Sequence, residues 1–437
     1  MGSMFDTLRN AFRIEDLRKK LLFTIFAMLV YRIGAAVPVP GISVEKFTEL
    51  ISRFGQFGNF LEIVSGVSLT GEHVRAIPIF ALGIQPYINA SIIMQLLTVA
   101  IPALERLSRE GETGRKKIQK ITRYVTIGIS LMMSVAYWSA TRVAGTLAMP
   151  QWLNALVVIA SFTAGSAFIM WLGEQINNNG IGNGISIIIF VGILSRFPSM
   201  IQTLYYTFLG WLESRNVVIA ILGVILVVAI FVVVTALVVF VQSSERRIPV
   251  SYAKRVVGRK MYGGQSTYLP IKVNQSGVLP VIFALNVLLV PSFIASLTGG
   301  DGPISQWFMN LNKNPLYYPL YALLIIGFTF FYSMITFNPV EVANNLQKNG
   351  GFIPGIRAGR PTSDFILKTA RRLSWFESIF LVFIVLFPMM LSLLTNTSSS
   401  LWFGGTALLI VVGVAMDLVT QLESQMMMRH YKGFLDR

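Results

Sequence analysis

Long apolar stretches alternate with polar segments along most of the 437-residue chain. A helix needs about 20 mostly apolar residues to cross the hydrocarbon core of a bilayer. The composition agrees, because 54% of the residues are hydrophobic and only 13% are charged. The pattern therefore predicts an all-α membrane protein with ten transmembrane helices. The predicted spans cover roughly residues 21–38, 76–100, 121–142, 153–173, 184–204, 216–242, 277–297, 317–338, 373–395 and 402–422.

Ten spans divide into an N-terminal half, residues 21–204, and a C-terminal half, residues 216–422, joined by an external segment at 205–215. Because each half has an odd number of spans, the second half enters the membrane inverted relative to the first. Prolines interrupt an early span in each half, which is typical of the working site of an inverted repeat. They are Pro78 and Pro86 in the second span, and Pro280 and Pro291 in the seventh. The alternative is that proline is simply common in membrane helices.

The basic residues predict which side of the membrane each loop faces. Most of the 36 lysines and arginines lie in the terminal segments and the even-numbered loops. By the positive-inside rule both termini are cytoplasmic, including the tail at 423–437. Two basic loops on that side, residues 243–274 and 344–368, are longer than a connection between spans requires. We interpret them as docking surfaces, although sidedness alone would also explain their charge.

The N-terminal segment combines apolar and basic positions. Residues 1–3 precede a second methionine and are interpreted as a cloning remnant. Residues 4–20 predict an amphipathic helix on the cytoplasmic surface of the membrane. A solvated basic flank is the alternative and gives the same topology. We expect no cleavable signal, because the first apolar run is long enough to remain in the bilayer.

The spans carry few ionisable residues, whereas ion-coupled carriers need such groups inside the bilayer. Arg32, Glu377 and Asp417 lie toward span ends, where snorkelling or a helix-end contact accounts for them. No phosphate-binding G-x-x-x-x-G-K-[ST] motif is present. The glycine-rich run at 177–184 favours a tight turn over a phosphate loop, since no strand precedes it. We therefore expect a protein that is not an enzyme and is driven by a partner.

Metal and thiol chemistry are not expected. The chain has no cysteine, and its two histidines, His73 and His430, match no metal-ligand spacing. The sequence accordingly predicts neither a metal site nor a bound cofactor.

Two amides and one short segment stand out as candidates for function. Asn89 and Asn286 lie within spans of opposite halves, where each needs a hydrogen-bond partner. That partner is either a neighbouring helix or the backbone of its own helix. Residues 58–76 are too short and polar to cross, so they form either an external loop or a short re-entrant helix.

Five motifs, in order along the chain, closely resemble the SecY family. They are IFALGIQPYINASIIMQLLT (79–98), EQINNNGIGNGISIIIF (174–190), RRIPVSYAKRVVGRKMYGGQSTYLPIKVN (246–274), GGFIPGIRAGRPT (350–362) and FGGTALLIVVGVAMD (403–417). Members of this family are the central subunit of the bacterial protein-conducting channel. The resemblance implies ten helices in two inverted, pseudosymmetric halves of five around an hourglass pore.

The family's pore constriction is a ring of apolar residues. The resemblance assigns it to six isoleucines: Ile84, Ile88, Ile185, Ile189, Ile282 and Ile410. A ring of apolar side chains suits a channel for any polypeptide, because it deforms around the chain and excludes water at rest. Without the resemblance these residues would be interpreted as core or lipid-facing.

The resemblance also implies a plug and a lateral gate. The plug, at about residues 60–72, would seat beneath the ring from the external side. The second and seventh helices would form a gate that opens toward lipid, with Asn89 facing Asn286. The plug residues are Phe60, Leu61, Ile63, Val64, Val67 and Leu69, and the gate residues are Asn89, Asn286, Val290 and Ile294.

The two basic loops correspond to the docking surface for the motor ATPase SecA and for the ribosome. The residues implied are Arg247, Lys254, Arg255, Arg259, Lys260 and Arg357. Arginine suits acidic protein grooves and RNA phosphates because its guanidinium binds two oxygens at once. Further implied partners are the small membrane subunits SecE and SecG, signal sequences, nascent polypeptides and membrane lipids.

The sequence thus predicts a passive, gated pore in the bacterial plasma membrane that passes secretory polypeptides and releases membrane segments into lipid. A five-plus-five inverted-repeat secondary transporter is the alternative, disfavoured by the scarcity of charges within the spans. A scaffold or insertase without a pore would leave the six isoleucines facing lipid or core.

Overall fold

The computed structural model describes residues 12–53, 62, 65–67, 69, 76–140, 150–214, 217–252, 255–257, 260–262, 266–297, 307, 314–395 and 405–435. Within these residues the chain is mostly helical, and the prediction of an all-α membrane protein is confirmed.

Long apolar helices account for most of the predicted spans. Among the described residues, seven helices are long and apolar enough to cross a bilayer. They are Ile79–Ala100, Gln151–Asn179, Gly184–Leu212, Ala220–Ser243, Tyr317–Lys348, Arg360–Leu391 and Gly405–Met427. Helices also cover most of the other three predicted spans, at Glu15–Gly34, Glu112–Ala140 and Leu279–Leu297, and the count of ten stays a prediction.

The chain divides into two compact units. The first comprises Met1–Tyr205, Asn286–Pro315 and Val414–Arg437, and the second comprises Tyr206–Leu285 and Leu316–Gly413. The predicted division into inverted halves of five helices is a different partition and stays a prediction.

The helices before the first long basic loop are α1 to α9. Their bounds are α1 Glu15–Gly34, α2 Val44–Arg53, α3 Gln85–Ala100, α4 Pro102–Arg109, α5 Glu112–Ala140, α6 Gln151–Asn179, α7 Gly184–Ser195, α8 Phe197–Ser214 and α9 Val217–Ser243. The predicted connector at 205–215 is thus largely helical, because α8 continues to Ser214.

Five helices and five strands complete the described fold. The helices are α10 Leu279–Leu297, α11 Tyr317–Thr336, α12 Pro339–Lys348, α13 Arg360–Thr395 and α14 Gly405–Leu435. The strands are β1 Glu245–Tyr252, β2 Arg255–Val257, β3 Lys260–Tyr262, β4 Ser266–Lys272 and β5 Gly351–Phe352.

The proline-containing spans differ from one another. In the second span a 3-10 turn, Ile79–Leu82, ends at Gly83 (φ 54°), and α3 then begins with Pro86 in its first turn. Proline is favourable there because the first N–H groups of a helix have no intrahelical acceptor. By contrast α10 continues through Pro291. Membrane helices tolerate such prolines when neighbouring groups satisfy the freed carbonyl.

Two sequence segments have defined surroundings in the first unit. The run at 177–184 forms the predicted tight turn, in which Gly182 has φ 84° and the Asn183 side chain accepts from the N–H of Ile185 at 3.1 Å. Within the predicted amphipathic segment at 4–20, Leu17 is buried in a cluster with Ile181 and Leu422. This end of the segment packs on protein rather than lying free.

Candidate functional site

A polar bridge joins the two helices predicted to form the gate. Gln85, in the first turn of α3, is fully buried. Its Nε2 donates to Oδ1 of Asn286 in α10 at 2.8 Å and to Oδ1 of Asn89, one turn later in α3, at 3.3 Å. Both partners are half-buried and belong to the same compact unit as Gln85. The two amides identified from the sequence therefore bind a common donor.

Gln85 is not among the residues predicted from the sequence. Its position four residues before Asn89 places both side chains on one helix face, which is the signal that identifies it. Hydrogen bonds between membrane helices contribute only about 1–2 kcal/mol or less each. The bridge is therefore a specific but weak contact. The gate residues Val290 and Ile294 lie within α10, and their side chains are outside the described residues.

The six isoleucines lie in both compact units, four in the first and two in the second. Ile84, Ile88 and Ile189 are buried in the first unit, where Ile185 is partly buried. Ile282 and Ile410 are buried in the second unit. Five of the six are thus shielded rather than facing lipid.

The candidate plug segment contacts α1 and the C-terminal end of α7. Tyr31 donates its hydroxyl to the carbonyl of Ser65 at 2.6 Å. Leu69 is fully buried and Val67 is half-buried. The predicted plug residues Phe60, Leu61, Ile63 and Val64 lie outside the described residues.

The two basic loops meet in one three-stranded sheet. Strand β1 of the first loop pairs antiparallel with β4 along its length, from Glu245 opposite Lys272 to Ser251 opposite Ser266. On its other side β1 pairs with β5 of the second loop, with Ser251 opposite Phe352. We call β4-β1-β5 and the residues packed on it the docking sheet.

The docking sheet has its own apolar core. Branched side chains of both loops are buried together with one residue of α13: Ile248, Val250, Ile271, Ile353 and Ile366. Because β-branched residues favour strands and pack well on a pleated surface, these loops can fold outside the bilayer.

Arginine side chains lie exposed at the edges of this core. Arg247 is on β1, with a side chain that is 71% exposed. Arg357 is exposed on the turn after β5, between Gly355 (φ 81°) and Gly359 (φ 96°). The Arg357 carbonyl accepts from the Thr362 hydroxyl at 2.8 Å, which fixes the turn.

Four further residues predicted to dock partners are described incompletely. Arg255 and Lys260 belong to the β2–β3 hairpin, but their side chains are outside the described residues, as are Lys254 and Arg259 altogether. The hairpin register pairs Arg255 with Tyr262 and Val257 with Lys260.

A buried carboxylate ties the docking sheet to the start of α10. Glu377 of α13 is fully buried, and its Oε1 accepts from the Ser276 N–H at 2.8 Å and from the Ser276 hydroxyl. Beside this contact, the Ser333 hydroxyl of α11 donates to Oε1 of Gln275 at 3.3 Å. It also forms a hydrogen bond with the Ser374 hydroxyl at 2.8 Å. Snorkelling does not account for Glu377. Glu377 instead fixes the segment that connects β4 to α10, through its contacts with Ser276.

Replacing Glu377 with alanine is expected to lower the free energy of unfolding by about 2–4 kcal/mol, because two buried donors on Ser276 lose their acceptor. Thermal unfolding of the purified protein in detergent measures the change. Glu377→Gln retains a carbonyl acceptor and is expected to lose less. Equal losses for both variants would contradict this role.

The described residues contain no group of three or more metal-ligating side chains. The arrangement instead offers weak interhelical polar contacts, a segment packed on two helices and an exposed basic surface.

Comparison with known proteins identifies the family. The SecY family model matches residues 78–419. The protein translocase subunit SecY of Streptomyces galbus is 42% identical over 99% of this chain and 100% of its own length.

Solved structures share the fold. One, a SecY structure, describes the plug domain as stabilising the closed state of the translocation channel and maintaining a membrane seal. It aligns with a TM-score of 0.59 and 19% identity, over 93% of this chain and 92% of its own. Sec61 in the canine ribosome–channel complex aligns with a TM-score of 0.56 and 17% identity over the same shares. The chain belongs to the SecY family.

Proposed function

We propose that this chain forms the channel of a bacterial protein translocase. It passes unfolded secretory polypeptides across the plasma membrane and releases membrane segments into lipid between α3 and α10. The near full-length match to a translocase subunit carries this proposal. It also favours a channel over the alternative of a secondary transporter. In this proposal both termini are cytoplasmic, and the chain is a passive pore rather than an enzyme.

The gate is the contact of α3 with α10 through Gln85. A gate must separate without unfolding either helix, so its contacts should be few and weak. The Gln85 bridge to Asn286 satisfies this requirement, because an amide pair is specific in direction yet contributes little net stability. A signal sequence entering between the helices would replace these contacts with its own.

The docking sheet is the proposed binding surface for SecA and the ribosome. Its exposed arginines carry charge, and its apolar core gives them a fixed geometry. The same surface can serve both partners, since carboxylates and phosphates are both bound by a guanidinium fork. Ribosome binding through RNA phosphates would weaken steeply with salt. SecE, SecG, signal sequences, nascent chains and membrane lipids complete the proposed partners.

Cysteines at positions 89 and 286 are expected to be joined by a short bifunctional thiol reagent in the resting state, because Asn89 and Asn286 share one hydrogen-bond donor. The chain has no other cysteine, so the product reports this pair alone. Joining α3 to α10 in this way should also block the release of membrane segments. Both are measured in membrane vesicles, by gel mobility and by insertion of a single-span substrate.

The matched control places the first cysteine at Ser91, two residues along α3 and so on a different helix face, while keeping Asn286→Cys. This pair should join much more slowly. The gate assignment fails if the two pairs react equally, or if joining positions 89 and 286 leaves insertion unchanged.

A further inference from the structure

An ion pair between a buried carboxylate and a partly buried guanidinium holds the candidate plug segment to the end of α7. Arg196 caps α7, and its Nη2 lies 2.8 Å from Oε2 of Glu62, whose side chain is 3% exposed. The other carboxylate oxygen of Glu62 accepts from the N–H of Leu69 at 2.8 Å. Glu62 therefore closes the segment on itself and attaches it to α7 at the same time.

A second contact point lies at Gly66, between the two ends of the segment. Its carbonyl accepts from Nη1 of Arg32 in α1 and from the hydroxyl of Ser195 in α7, both at 3.0 Å. Arg32 thus bonds the candidate plug segment, which snorkelling alone does not explain. All of these residues belong to the first compact unit.

Backbone packing makes the fit close. Gly66 has φ 63°, and a Cβ at this position would lie 2.5 Å from Cα of Gly192 in α7. A side chain there would both strain the backbone and displace the segment. The segment is therefore seated directly on the backbone of α7.

The energetics of such a pair suit a contact that must later open. Removing Arg196 is unfavourable, because it takes a cation away from the buried carboxylate of Glu62. Separating the intact pair into water is less costly, because both ions regain the hydration they lost on burial. The Glu62–Arg196 ion pair therefore fixes the position of the segment and can still separate when the segment moves.

We propose that Glu62 and Arg196, supported by Arg32 and Ser195 at Gly66, form a polar latch that keeps Glu62 and Gly66 seated against α1 and α7 in the resting channel. The latch opens as an ion pair when a polypeptide displaces the segment. This inference rests on the proposed channel function and assigns positioning residues within it.

The test is the resting ion conductance of planar bilayers fused with membrane vesicles that contain the full-length chain and its native partners. Arg196→Gln and Glu62→Gln are each expected to raise resting conductance roughly tenfold or more, since each removes the ion pair between the segment and the end of α7. Arg196→Lys keeps the charge and should remain near the wild-type level. The Glu62→Gln/Arg196→Gln double variant should leak less than the two single effects combined, because the pair is coupled.

Two further variants test whether a leak comes from unseating the segment. Gly66→Ala disturbs the seating without touching a charge and should also leak. Glu174→Gln breaks the Arg123–Glu174 ion pair, whose atoms are 2.6 Å apart and which joins α5 to α6. It should leave conductance unchanged, which excludes a general effect of lost ion pairs.

The outcomes distinguish the latch from the channel itself. If Arg196→Gln, Glu62→Gln and Gly66→Ala insert normally and do not leak, while glycine at Ile88 and Ile189 does, the latch is overturned and the channel stands. If none of these variants leaks, the proposed channel function fails. If Arg196→Gln does not insert, Arg196→Lys and Glu62→Gln decide, and a sealed Glu62→Gln channel overturns the latch.

Discussion

Replacing Arg357 with glutamate is expected to abolish SecA-driven polypeptide transport while leaving the protein folded and inserted. Arg357 is exposed on a turn fixed by Gly355, Gly359 and the Thr362 bond to its carbonyl. The side chain therefore contributes to a surface rather than to the core. Reversing its charge replaces attraction to an acidic partner with repulsion, and like charges across an interface cost several kcal/mol. Import of a radiolabelled precursor into inverted membrane vesicles, with SecA and ATP supplied, measures the loss.

Two controls define this result. Arg357→Lys keeps the charge but loses the planar fork, so transport should fall without vanishing. Lys120→Glu makes the same charge change on an exposed residue of α5, in another predicted cytoplasmic loop, and should leave transport near normal. Normal transport by Arg357→Glu, or equal loss by Lys120→Glu, would contradict a docking role for the turn.

Glycine at both Ile88 and Ile189 is expected to make resting membranes permeable to ions. Each side chain is 7% exposed, so each substitution removes a buried apolar group. An apolar constriction blocks ions by excluding water, and removing its side chains lets water form a continuous column. Conductance of planar bilayers without precursor should rise roughly tenfold or more, because a dewetted barrier is lost. Wild-type conductance in this variant would remove both isoleucines from the proposed ring.

The matched control is Ile187→Gly in the same helix, α7. Ile187 is fully buried but does not belong to the six proposed ring residues. Its loss should destabilise the fold by a few kcal/mol, as other large-to-small core substitutions do, without opening a path for ions. A leak from Ile187→Gly as large as that from the pair would indicate general loosening instead of loss of a seal.

The docking sheet shows how far local sequence patterns reach. The charge and length of residues 243–274 and 344–368 predicted a partner surface, and nothing in either loop alone predicted that both form one sheet. The pairing of β1 with β5 joins residues about 100 positions apart in sequence, from Ser251 to Phe352. The register between distant strands depends on which apolar side chains share a core. Here the core needs both loops, because it contains Ile248 of the first loop and Ile353 and Ile366 of the second.

The partners of the charged residues in the spans could not be predicted from the sequence either. From the sequence, Arg32 and Glu377 lie toward span ends, where snorkelling or a helix-end contact accounts for them. In the fold Arg32 binds the carbonyl of Gly66, and Glu377 binds Ser276. Each partner is far away in sequence and is a backbone group or a serine, so no charge pattern reveals it. Burying an ion favours such a partner wherever the fold provides one.

The sequence by itself determined the membrane class, the approximate spans, the excess of basic residues on one side and the family. Each of these depends on hydropathy, charge or motif order, which are properties of contiguous segments. Only the tertiary structure decided that Gln85 bridges Asn89 to Asn286, that Glu62 pairs with Arg196 and that the two basic loops share a sheet. The physical reason is that a buried polar group is satisfied by whatever donor or acceptor packing brings near it, and packing joins residues the sequence keeps apart.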